Sequence, residues 1–128
     1  MTRKLSQPAL FRQLVDGALT EKQWQRQVEE ALDFFGYWWM HVPSNVVVCP
    51  TCHTKIYRGI ARGVPDIWAI KPPHMLYIEL KRERGQLDPE QKRVGAMLQA
   101  CGQRWIHARP RDREQLLNLI AHPEIASV

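Results

Sequence analysis

Between Thr20 and Gly36 the apolar residues Trp24, Val28, Ala31, Leu32 and Phe35 recur at spacings of four, three, one and three. That pattern is one stripe of an amphipathic helix. Thr20 can cap it, Glu21 suits the positive end of its dipole, and Gly36 marks its stop. A shorter helix is expected ahead of it over 8–19, with Leu10, Leu14 and Ala18 on one side. After Gly36 the period changes. Residues 37–42 are aromatic and β-branched and read as a strand. The segment 43–63 holds Val46-Val47-Val48 and Ile56-Tyr57, which predicts a hairpin with Cys49-Pro50-Thr51-Cys52-His53 at its tip.

Strands are expected over 66–70 and 75–81, joined by a turn at Lys71-Pro72-Pro73-His74. Alternation in the second puts Leu76, Ile78 and Leu80 on one face and Tyr77, Glu79 and Lys81 on the other. Asp88-Pro89-Glu90-Gln91 opens a helix: Asp88 caps, Pro89 takes the first helical position, and Gln91 sits where a capping-box partner would. Val94, Met97, Leu98 and Cys101 supply its inward stripe, and Gly102 ends it. A strand over 104–108 and a helix over 112–121, burying Leu116, Leu117 and Ile120, complete the chain. The order is α-β-(β)-β-β-α-β-α, an α/β fold with a mixed β-sheet flanked by helices.

At 128 residues the chain fits one domain. The expected division is an N-terminal helical extension at 1–19, a main domain at 20–121 with an insertion at 43–63, and a tail at 122–128. A hydrophobic fraction of 45% with 24% charged residues excludes a disordered chain. No apolar run reaches the ~18–20 residues of a membrane span, and the N-terminus lacks the apolar stretch of a signal peptide. A cytoplasmic protein of a cell, bacterial or otherwise, is expected, with no membrane partner. The net charge of +5 favours a polyanionic partner, nucleic acid first and an anionic membrane surface second.

The chemistry concentrates in Gly63-Val64-Pro65-Asp66 and Glu79-Leu80-Lys81. Glu79 and Lys81 project from one strand face. If the two strands pair as a hairpin, Asp66 and Glu79 come within reach of one ion. Two carboxylates and little else suit Mg²⁺, a hard cation that keeps several waters and takes further oxygens from a phosphate. An ammonium beside them can orient attacking water or neutralise charge on the phosphate. The alternative is a salt-bridged strand pair with a solvated face.

These residues resemble the PD-(D/E)xK nuclease signature, and more narrowly its VRR-NUC branch. The branch pattern is a leading helix ending in Gly, a G-x-PD element, an I-E-L-K strand, a helix opened by L-x-x-x-Q, and a closing G-x-x-x-x-β unit. Here these are Thr20 through Tyr37, Gly63 to Asp66, Ile78 to Lys81, Leu87 to Gln91, and Gly102 to His107, in that order. The resemblance implies a restriction-endonuclease-like core and phosphodiester hydrolysis dependent on Mg²⁺ or Mn²⁺. It implies Asp66 and Glu79 as metal ligands, Lys81 as the catalytic lysine, and Gln91 as the glutamine on the following helix. For the family's acidic residue on the first helix, Glu21 is the candidate, with Gln25 as companion. It further implies DNA as substrate, branched DNA such as a Holliday junction above others, with flaps or nicks as the alternative. Symmetric cutting of a junction needs two sites, so a homodimer through 43–63 or the helices near it is expected. A non-catalytic nucleic-acid-binding module is the rival from another class.

Cys49-Pro50-Thr51-Cys52-His53 lies outside the shared pattern. Two cysteines spaced by two residues are half of a zinc knuckle. His53, His41, Cys101, His107 or a second subunit can supply the rest, and a turn with free thiols is the other reading. Cys101 is expected in the core. Trp24 and Trp68 are expected in the core as well, whereas Trp38 and Trp39 must point to opposite faces of a strand. Arg58, Arg62, Arg82, Arg84, Lys92 and Arg93 surround the motif and are candidate phosphate contacts.

Overall fold

A computed structural model of the chain describes residues 7–43, 46–57, 59 and 61–124. The helices are α1 (Gln7–Ala18), α2 (Glu21–Phe34), α3 (Pro89–Ala100) and α4 (Arg113–Ala121), the last preceded by a 3-10 turn at Pro110–Asp112. The strands are β1 (Trp38–His41), β2 (Val46–Val48), β3 (Lys55–Tyr57), β4 (Ile67–Lys71), β5 (His74–Leu80) and β6 (Arg104–Ala108). The fold is mixed α/β. A four-stranded sheet has the order β1-β4-β5-β6, in which β1, β4 and β5 are antiparallel neighbours and β6 runs parallel to β5. An antiparallel pair can be joined by two residues, here Pro72 and Pro73. A parallel pair needs a crossover, which α3 supplies. Among the described residues β2 and β3 pair with each other alone, as a separate two-stranded sheet.

The core lies between one face of the four-stranded sheet and helices α2 and α4. Ile67 and Ala69 of β4, Leu76, Ile78 and Leu80 of β5, and Ala108 of β6 alternate onto that face and are buried. Trp24, Val28 and Leu32 meet them from α2, as the helical stripe predicts. Each such side chain contributes roughly 1.5–3 kcal/mol when removed from water. Two ring donors in the core are satisfied: Trp24 Nε1 donates to the Ala108 carbonyl at 3.2 Å and the Tyr37 hydroxyl to the Ile120 carbonyl at 2.8 Å. The opposite sheet face carries Trp68, Tyr77 and Trp105 in one cross-strand row. Over β6 this face is covered by α3, whose Gly95 lies against the Trp105 indole.

Three expectations are corrected. Leu117 is only half-buried, and Leu119 joins Leu116 and Ile120 in the core. The 3-10 turn delays the start of α4 to Arg113, and the inward stripe falls at i, i+3 and i+4. Cys101 is exposed at the C-cap of α3, and Met97 is exposed too. The broad Trp105 ring fills the space beneath this helix and leaves room for Gly95 instead of a long side chain. Trp68 is half-buried outside the core, in edge contact with Tyr77 at 5.5 Å. On α1, Leu10 and Leu14 are exposed. That helix is held by the buried Asp16, whose carboxylate accepts from Arg113 Nη2 at 3.0 Å. Trp38 and Trp39 do part to opposite faces: Trp38 is 60% exposed, while the half-buried Trp39 donates through Nε1 to Asp33 at 2.7 Å.

Gly63 ties the loop before β4 to α3. Its φ is +84°, and a Cβ there would strike the backbone carbonyl of Glu90. Gly63→Ala therefore combines left-handed strain with a backbone clash, together about 2–4 kcal/mol. Thermal melts should show a drop of roughly 10 °C. Gly17→Ala, in open space on α1, should match or exceed the wild-type melting point. If Gly63→Ala melts like the wild type, the loop and α3 are not packed together in solution.

Candidate functional site

Local rules place the two carboxylates. Ile67 pairs with Ile78, so Asp66, immediately before β4, stands across from Glu79 on β5. The Asp66 backbone is fixed by the Val42 N–H, which donates to its carbonyl at 2.8 Å. Its side chain accepts from the Leu80 N–H at 3.1 Å. Glu79 falls on the face opposite Ile78 and Leu80, beneath the start of α3, and is 0% exposed.

Gln91 bonds in two directions. Its Oε1 accepts from the Asp88 N–H at 3.0 Å while its own N–H donates to Asp88 at 2.9 Å, completing the capping box. Its Nε2 donates to Glu79 Oε1 at 2.8 Å. The cap thus orients the amide, and the amide orients the carboxylate. Glu79 Oε2 is buried with no hydrogen-bond partner among the described residues. Burial and the neighbouring Asp66 push the Glu79 carboxyl up to about 9, with the Lys81 ammonium opposing them. Lys81 is half-exposed, and its backbone N–H donates to the Ala108 carbonyl at 3.2 Å.

This donor set fits a hard divalent cation. It is made of oxygens alone, one of them buried and unpartnered, and the carboxylates repel each other in the absence of positive charge. Asp66 and Glu79 are the residues that would hold Mg²⁺ or Mn²⁺. Among the described residues no third His, Cys, Asp or Glu converges with them. Glu21 is exposed in the first turn of α2 and does not group with the carboxylate pair, and the half-buried Gln25 donates to Glu29 at 2.8 Å.

The basic residues divide into two groups. Arg82, Arg84 and Lys92 are exposed, as is Arg62, in the loops and helix that frame the site. Arg93 is exposed but paired with Glu90 at 2.8 Å. Arg58 lies outside the described residues. Arg109 and Arg111 instead hold the 82–88 loop, through the Gly85 carbonyl at 2.9 Å and Glu83 at 3.0 Å. His107 is the residue that sequence reasoning set elsewhere. The parallel register places it beside Glu79, half-buried, with Nε2 unpartnered among the described residues. Burial first, then Arg109, lowers its pKa, so it is neutral near pH 7. The one sequence signal was its two-residue offset from Trp105, which fixes the strand face but not the neighbouring strand.

No family model, curated protein or solved structure matches this chain. Among the described residues no helix is long and apolar enough to cross a membrane.

Proposed function

We propose that the chain is a divalent-metal-dependent endodeoxyribonuclease of the VRR-NUC type, selective for branched DNA in the manner of a Holliday-junction resolvase. The observation that carries this reading is the Asp66–Glu79 pair at one end of the β4–β5 hairpin, with Glu79 buried, Lys81 beside it and Gln91 locking one carboxylate oxygen. A salt-bridged, solvated strand face would not leave Glu79 fully buried with one oxygen unpartnered. The restriction-endonuclease-like character of the core belongs to the same proposal.

Bound Mg²⁺ would polarise the scissile phosphate, lower the pKa of the attacking water and stabilise the leaving oxygen. The chain's own residues do the positioning. Gln91 holds Glu79 Oε1 in one orientation, and the Leu80 N–H does the same for Asp66. The Lys81 ammonium orients the nucleophilic water or neutralises charge developing on the phosphate. Arg62, Arg82, Arg84 and Lys92 contact flanking phosphates, which gives affinity without base readout. A cytoplasmic homodimer that uses 43–63 would set two such sites on a four-way junction.

The test is cleavage of end-labelled linear, nicked, flapped and four-way DNA by the purified chain. Cutting of the four-way substrate in Mg²⁺ or Mn²⁺, abolished by EDTA, is expected. Cutting confined to flaps or nicks would replace the resolvase specificity. Tight DNA binding with no cleavage of any substrate in either metal would leave a binding module and end the nuclease reading.

A further inference from the structure

The tip between β2 and β3 holds two thiols that the carboxylate site does not use. The backbone closes around them: the Cys49 N–H donates to the Thr54 carbonyl, and the His53 N–H donates to the Cys49 carbonyl, both at 2.9 Å. His53 takes φ +59°, uncommon for any residue but glycine, and returns the chain into β3. Cys52 Sγ lies 3.1 Å from Thr54 Oγ1. Thiolate is the metal-binding form, and hydrogen-bond donors aimed at the sulfur orient it as a ligand.

Two further observations bear on what this tip is for. β2 and β3 are three residues each and form a sheet of their own. A two-stranded hairpin is marginally stable in water, and a metal centre supplies the missing stability in small units. Tetrahedral zinc needs four ligands, yet among the described residues no third His, Cys, Asp or Glu joins Cys49 and Cys52. His53 follows Cys52 in the tip but does not group with the two thiols, and the other intrachain candidates lie elsewhere: His41 on β1, His107 beside Glu79, and Cys101 at the end of α3. A two-fold axis through the metal presents the same pair of thiolates again, and so completes the set.

We propose that Cys49 and Cys52 from two copies of this chain form one tetrahedral, four-thiolate zinc centre that joins the hairpin tips across a two-fold axis. Each thiol releases its proton to solvent on binding. The inference does not rest on the nuclease reading, and its test involves no DNA.

The full-length chain, kept reduced and freed of metal, is titrated with Zn²⁺ while bound zinc and particle mass are followed. One zinc per two chains is expected, with the mass doubling from the 15.0 kDa of the single chain and returning to it when a strong chelator is added. Co²⁺ in place of zinc should give the thiolate charge-transfer absorption of four sulfurs. Cys49→Ser and Cys52→Ser should each lose metal and doubling together, while Cys101→Ser keeps both. The wild-type measurements stand alone should the serine variants fail to fold. No tightly held zinc, one zinc per single chain, or a two-chain particle indifferent to zinc would each overturn the proposal.

Discussion

Asp66→Asn should cleave a four-way DNA junction in Mg²⁺ at no more than about a thousandth of the wild-type rate, a loss on the scale of removing one charge-stabilising group. Glu79→Gln should behave alike. Both remove half of an all-oxygen donor pair that would hold the metal, and no third carboxylate converges on it among the described residues. DNA affinity should move the other way. In EDTA Glu79 keeps its proton and Asp66 supplies the negative charge where a phosphate must sit, so Asp66→Asn should bind the junction as tightly as the wild type or more tightly, and Glu79→Gln about as tightly. Lys81→Ala should differ from both: cleavage falls, and DNA binding weakens slightly with the lost positive charge. Each variant must first show a cooperative melt at least as high as the wild type, so that lost activity is not lost fold. Wild-type cleavage by Asp66→Asn on every substrate would return these strands to a structural ion-pair reading.

The parts of this site that are legible in the sequence depend on local periodicity. Leu76, Ile78 and Leu80 at every second position fix the core face of β5 and therefore the opposite direction of Glu79. The short Pro72-Pro73 link forces β4 to pair with β5, which puts Asp66 across from Glu79. Asp88 and Gln91 at capping-box spacing fix the start of α3. What escaped depends on non-local pairing. The register of β6 against β5 passes through the α3 crossover, so nothing near His107 in sequence reveals that Glu79 is its neighbour. The same register sets Trp105 beneath α3, which explains why Gly95 is buried and Cys101 is not. On α1, a stripe that looks like a core face is left exposed, because the Asp16–Arg113 ion pair docks the helix by a different side. The double duty of Gln91 could be posed from sequence, yet only the closeness of α3 to β5 brings its amide to Glu79.

The second large effect is on stability. In the metal-free protein, Glu79→Gln should melt higher than the wild type, by at least about 5 °C near pH 8. The Glu79 carboxyl is raised from 4.5 to about 9, by burial first and Asp66 second. Below pH 4.5 it is neutral in both the folded and the unfolded chain, and the group costs nothing. Between 4.5 and 9 the unfolded chain releases this proton while the folded chain retains it, so wild-type stability falls as the pH rises through that window. A tenfold difference in proton affinity is worth about 1.4 kcal/mol, and the displacement spans several such steps. Glutamine removes the titration and keeps the geometry, since its Oε1 can still accept from Gln91 Nε2. The gain should therefore be smallest near pH 5 and grow steadily towards pH 9. Mg²⁺ should narrow the gap from the other side, raising the wild-type melting point by binding the folded state while leaving Glu79→Gln almost unmoved. Thermal melts across that pH range, in EDTA and then in Mg²⁺, read both effects. A variant that melts with the wild type at every pH in EDTA would show that Glu79 is solvated and already ionised at neutral pH, and the carboxylate pair would lose its claim to be a metal site.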